Sequence, residues 1–106
     1  MRTNQAEISR AFHALGDPTR MAIYTRLSHG RVALSELAEP FDMSLQAIGQ
    51  HIQLLEKCGL VQTEKIGRIR TCSIRPEGLQ RLEKWINERK SLWQKRLDKL
   101  GTILDD

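Results

Sequence analysis

Cysteine is scarce in this chain. Two residues in 106, Cys58 and Cys72, are too few for a disulfide framework and fit a reducing cytoplasm. Long apolar runs are missing too: none approaches the roughly 18 residues that a bilayer span requires. The opening Met1-Arg2-Thr3-Asn4-Gln5-Ala6-Glu7 has no apolar core of the kind a signal peptide needs. The expectation is a cytoplasmic protein with no membrane partner. Catalytic signatures are absent as well. There are no paired carboxylates in a cleft-forming context, no glycine-rich phosphate loop, and no Ser/His/Asp or Cys/His set with fold context. The chain is therefore expected to be no enzyme, with no catalytic residue, no metal site and no cofactor. No internal repeat or low-complexity tract interrupts it.

What is present reads as one compact domain over residues 1–106, too short for separate catalytic and substrate-binding units. Hydrophobic residues make up 40% and charged residues 28%, a globular balance rather than a disordered one. The net charge is +4, and its placement says more than its size. From Ser44 to Pro76 the basic Lys57, Lys65, Arg68, Arg70 and Arg75 face only Glu56 and Glu64, whereas residues 1–43 balance. A concentrated basic patch of this kind suits nucleic acid.

Ile8, Phe12 and Leu15 recur at steps of four and three, which predicts an amphipathic helix from about Thr3 to Leu15, closed by Gly16. Asp17-Pro18 opens a second helix, with Asp as cap and Pro at the first helical position, and His29-Gly30 ends it. Ser35 to Glu39 forms a short third helix broken at Pro40. Phe41-Asp42-Met43 is a tight turn, and Ser44 caps a fourth helix whose Ile48, Ile52, Leu55 and Cys58 make one buried stripe ended by Gly59. Residues 60–65 and 69–74 read as strands joined across Ile66-Gly67-Arg68. Pro76 starts a last helix to about Leu100, some 37 Å long. The order is α-α-α-α-β-β-α, mainly helical with a small β-hairpin.

A short helix, a tight turn and a capped helix (about 35–58), followed by a basic hairpin (about 60–75), make a winged helix-turn-helix. Ser44 leaves the fourth helix's N-terminal amides facing outward, where they suit a phosphate. The face opposite the buried stripe offers Gln46, Ala47, Gln50, His51 and Gln53, short or amide-bearing residues that suit base edges. Gln50 has the bidentate geometry for adenine. Lys65, Arg68 and Arg70 on the hairpin suit backbone phosphates or a minor groove. The expected DNA-contacting set is thus Ser44, Gln46, Ala47, Gln50, His51, Gln53, Lys65, Arg68 and Arg70. Gly49 costs a mid-helix position roughly 1 kcal/mol against alanine. Either close approach to DNA or packing against another helix accounts for it.

The first and last helices (about 3–15 and 76–100) are expected to dimerise the protein through Ile8, Phe12, Leu82, Trp85, Ile86, Trp93, Leu97. A helix so long would otherwise leave its apolar face wet on so small a domain.

These residues resemble the ArsR family of winged-helix repressors. The matches are Ala14-Leu15-Gly16-Asp17-Pro18-Thr19-Arg20, then Leu34-Ser35-Glu36-Leu37-Ala38, then Ser44 through Ala47-Ile48 and His51-Ile52 to Leu55-Glu56. Cys58-Gly59-Leu60-Val61 stands where the family usually has Ala-Gly-Leu-Val, and the Gly67-Arg68 tip and closing helix complete a likeness over nearly the whole chain. The resemblance implies a dimer on an imperfect inverted repeat in double-stranded DNA, repressing until an inducer releases it. Metal-sensing members carry Cys-x-Cys on the third helix or His and acidic ligands on the last. Here the third helix has neither Cys nor His, and no His follows His51. The Pro40-to-Ser44 turn resembles a branch that does not sense metals. The family commonly has arginine at Gln50 and serine at Gly49, so operator preference does not carry over.

Plainer readings stand beside these. His51 suits a structural hydrogen bond as well as a DNA contact, and the glutamines suit an ordinary exposed helix face. Cys58 suits a small core thiol, and a Cys58–Cys72 redox pair is disfavoured because hairpin pairing sets Cys72 opposite about Gln62. Alternative functions are a ligand- or thiol-responsive sensor that releases DNA, with a small-molecule inducer of unknown chemistry, and a winged-helix module for protein or RNA.

Overall fold

The computed structural model describes residues 5–104. Its elements are α1 (Gln5–Leu15), α2 (Pro18–Leu27), β1 (Val32–Ala33), α3 (Leu34–Ala38), α4 (Leu45–Lys57), β2 (Val61–Ile66), β3 (Ile69–Ile74) and α5 (Pro76–Leu104). The predicted start of the first helix at Thr3 lies outside the described residues.

Local chemistry sets most of the boundaries. The Asp17 carboxylate accepts a hydrogen bond from the Arg20 amide at 3.0 Å, and Pro18 follows at the first helical position. That amide holds the Asp17 carboxyl below its ordinary value of 3.8. Ser44 Oγ accepts from the Ala47 amide at 3.1 Å and caps α4. At the other end of α4, Gly59 (φ +77°) donates to the Glu56 carbonyl and Leu60 to the Leu55 carbonyl, both at 3.0 Å. This paired closure is a Schellman motif, and it drives Leu60 into the core beside Leu55. Gly78 is required nearby for a different reason. A Cβ there would collide with the Gly59 carbonyl, so the first turn of α5 lies directly on the end of α4.

The sheet corrects three expectations. It has three antiparallel strands in the order β1-β3-β2 rather than a bare hairpin. The added strand pairs Val32 with Cys72 and Ala33 with Thr71. Ile66 and Ile69 pair with each other, so the tip is the two residues Gly67 and Arg68, not three. Cys72 accordingly stands opposite Thr63 instead of Gln62. The last helix also runs past Leu100 to Leu104.

The core gathers Ile23 and Leu27 of α2, Leu37 of α3, Ile48, Ile52 and Leu55 of α4, and Leu60, Val61 and Cys72 around the sheet. Among the described residues of α5, Leu82 and the half-buried Trp85 join it. Beyond them α5 projects, giving a molecule of 67 × 33 × 21 Å. No helix among the described residues is long and apolar enough to cross a membrane.

Candidate nucleic-acid interface

Three buried residues, Ile48, Ile52 and Leu55, hold α4 against the core. At 100° per residue, Gln46, Gln50 and Gln53 then fall on the opposite side, and all three are exposed. Ala47 and His51 lie one step from the buried stripe and are half-buried. The exposed Ser44 closes the helix start with its side chain engaged on Ala47. A Cβ at Gly49 would meet nothing within 4 Å, so packing against another helix of this chain does not explain the glycine.

Two groups of hydrogen bonds that sequence reasoning missed fix the attitude of this helix. The Arg20 guanidinium donates through Nε to the Ala14 carbonyl at 2.7 Å and reaches His51 Nδ1 through Nη1 at 3.2 Å. One side chain thus braces the end of α1, the start of α2 and the middle of α4. On the other flank, Glu56 Oε2 accepts from both the Thr63 amide (3.1 Å) and the Thr63 hydroxyl (3.0 Å). Arg70 Nη1 in turn donates to Thr63 Oγ1 at 3.4 Å. The wing is therefore tied to α4 by a carboxylate, a hydroxyl and a guanidinium in series. Polar residues 31 and 7 apart in sequence carry no periodic signal, which is why only the fold reveals them.

Strand alternation sorts the wing into two faces. Val61, Thr63 and Lys65 share the core side with Ile74, Cys72 and Arg70, so Lys65 and Arg70 extend the sheet's inner face outward beside α4. Arg68 occupies the tip. Ile66 and Ile69, 50% and 58% exposed, form an apolar pair on the outer face. The structure thus brings Lys65, Arg68 and Arg70 together on one projection, separate from the glutamines of α4.

The residues expected at a dimer contact divide. Ile8 and Leu82 are buried within the chain's own core. Phe12 meets Trp85 edge-on, with centroids 5.5 Å apart at 68°, and Arg89 lies 4.5 Å over the Trp85 ring. Ile86, Trp93 and Leu97 are exposed, Trp93 at 65% and Leu97 at 54%. The exposed Leu79, Ile86, Trp93 and Leu100 also recur at intervals of seven, a spacing that sequence reading had not singled out.

Both cysteines are free. Cys72 is fully buried, and that burial pushes its thiol up. Cys58 is half-buried, with Sγ 3.7 Å from the Arg10 carbonyl. It borders a cavity of about 250 Å³ where α1, the end of α4 and the start of α5 meet. No group of three potential metal ligands occurs among the described residues.

The profile of the helix-turn-helix domain family matches residues 15–64. The chain is 34% identical over 96 residues to the HTH-type transcriptional regulator Rv2034 of Mycobacterium tuberculosis, covering 91% of this chain and 87% of that one. It is 27% identical to the transcriptional repressor SdpR of Bacillus subtilis, over 74% of this chain and 88% of that protein. Among solved structures, an ArsR family transcriptional regulator superimposes with a TM-score of 0.80 at 44% identity, covering 89% of this chain and 97% of its own. The homodimeric winged helix-turn-helix DNA-binding domain Mb0332 of Mycobacterium bovis shares the fold at 23% identity, with a TM-score of 0.67 over 86% and 84% of the two chains.

Proposed function

The chain belongs to the ArsR family of transcriptional regulators, with the winged helix-turn-helix fold of that family, and from that premise we propose that it is a homodimeric repressor acting on an inverted repeat in duplex DNA. The observation that carries this reading is the exposed amide face of α4, Gln46, Gln50 and Gln53, held in a fixed attitude beside the basic wing. In the proposed complex α4 enters the major groove, where an amide pairs bidentately with adenine. Lys65, Arg68 and Arg70 take phosphates and release counterions, which supplies affinity without sequence preference. Ser44 and Ala47 bring the first turn of α4 to the backbone, and His51 contributes from the flank.

Dimerisation supplies the second half of the site. The exposed heptad Leu79, Ile86, Trp93 and Leu100, with Leu97, suits helix-to-helix pairing with a second copy. Phe12 and Trp85 sit at its inner end. Two copies related by a two-fold axis place their α4 helices on successive major grooves, roughly 34 Å apart. Repression follows from occupying that site; the name of the Bacillus relative supports this direction of control. No catalytic step enters the proposal.

A regulated version of the same function has one observation in its favour. The cavity beside Cys58 touches the last turn of α4 through Lys57. An inducer held there would act on the end of the reading helix.

Selection of bound duplex fragments from a genomic library tests the proposal. The expected product is a set sharing an inverted repeat with half-sites about one helical turn apart. No enrichment of any duplex, with capture of RNA or a protein instead, would place the chain among winged-helix interaction modules.

A further inference from the structure

Arginine has five N–H donors and no acceptor at any accessible pH. The 3.2 Å contact between Arg20 Nη1 and His51 Nδ1 is therefore a hydrogen bond only if Nδ1 accepts. A neutral imidazole whose Nδ1 is unprotonated carries its proton on Nε2. Among the described residues Nε2 has no hydrogen-bond partner, and it is not sealed from solvent, since the one buried side-chain polar atom left unpaired among them is the Tyr24 hydroxyl. His51 thus presents a free N–H donor from the flank of α4, while its other nitrogen is held by a side chain on α2.

We propose that Arg20 is a positioning residue for DNA reading, which locks His51 in the Nε2–H tautomer so that it donates to an acceptor on the duplex. This rests on the DNA-binding reading given above. The acceptor is either a phosphate oxygen or a purine edge (N7, or guanine O6). Arg20 is itself held in place twice, by its Nε on the Ala14 carbonyl and by its own amide on the Asp17 cap. The imidazole is consequently oriented before DNA arrives, so binding need not order it.

The first measurement uses the free, full-length protein labelled with ¹⁵N. Long-range ¹H–¹⁵N spectra should show an unprotonated Nδ1 and a protonated Nε2 at His51. In Arg20→Ala the two nitrogens should move toward each other as the tautomers mix, and Arg20→Lys, which keeps a cationic donor group, should restore part of the difference. The second measurement is binding to the selected duplex and to a scrambled one. His51→Gln keeps an amide donor near the Nε2 position and should hold affinity within a few-fold. His51→Asn places its amide near Nδ1 instead, and should lose on the order of tenfold while melting like the parent. A loss confined to the selected duplex identifies a purine edge, and an equal loss on both identifies a phosphate. A protonated Nδ1 in the free protein overturns the proposal, as does parental affinity in His51→Asn. If the parent binds no duplex at all, the DNA-binding reading fails, and the tautomer result stands on its own.

Discussion

The helix α4, proposed above to read DNA, and the outer half of α5 are both exposed helices, yet their sequences treat exposure in opposite ways. α4 is held along its length. It has a Ser44 cap, a Schellman closure at Gly59, three core side chains, and polar braces to Arg20 and Thr63. Its free face carries amides. From Ile86 to Leu100, α5 has no buried residue, and its free face carries Trp93, Leu97 and a heptad of apolar side chains. A rigid helix with a polar face fits a hydrated, charged partner whose groove it must match in shape. An unsupported helix with an apolar face fits a partner of its own kind, because leaving that area in water has a cost that only burial removes.

The largest expected effect separates the two regions. Trp93→Glu places a charge on the apolar face without touching α4, so sedimentation should show monomers, and affinity for the selected duplex should fall by roughly 30-fold or more, the scale of a lost interface hot spot. A stable dimer would break the contrast at its α5 side. Gln50→Ala tests the α4 side. The selected duplex should bind roughly tenfold more weakly, within the range of a lost bidentate pair, while random duplex is unaffected. Equal losses on both would remove base reading from that position.

Smaller effects sharpen the picture. Arg68→Ala or Arg70→Ala each removes two phosphate contacts from a dimer, so the slope of log affinity against log salt should fall by about 1.8. An unchanged slope would mean that the wing does not grip the backbone. Gly49→Ala meets open space within the chain. It should stabilise the free protein by up to about 1 kcal/mol in denaturant melts and, on the proposal that α4 enters the groove along this flank, weaken duplex binding. Unaltered binding would show that the glycine serves no close contact.

Much of this contrast was legible in the sequence because its signals are local. Asp17-Pro18, Ser44 and Gly59 mark helix ends through their own side chains or lack of one, and the 48-52-55 spacing marks the inner face of α4. The strand at Val32–Ala33 was not legible: two residues are too few to alternate, and pairing with β3 alone makes them a strand. The hairpin register slipped by one because Ile66 reads equally as tip or strand until Ile69 is seen across from it. Ile8 and Leu82 carry the same helical spacing whether they face their own core or a partner, and burial assigns them to the core. The Arg20–His51 and Glu56–Thr63 braces depend on meetings between elements that no spacing rule encodes.

The contrast predicts that neither region works alone, and stoichiometry tests this most directly. Sedimentation of the protein with a duplex carrying the selected repeat should give two chains per duplex. Inserting five base pairs between the half-sites, half a helical turn, should abolish that complex by turning one α4 away from its groove. One chain bound per duplex, or equal affinity for the original and the lengthened repeat, would contradict it.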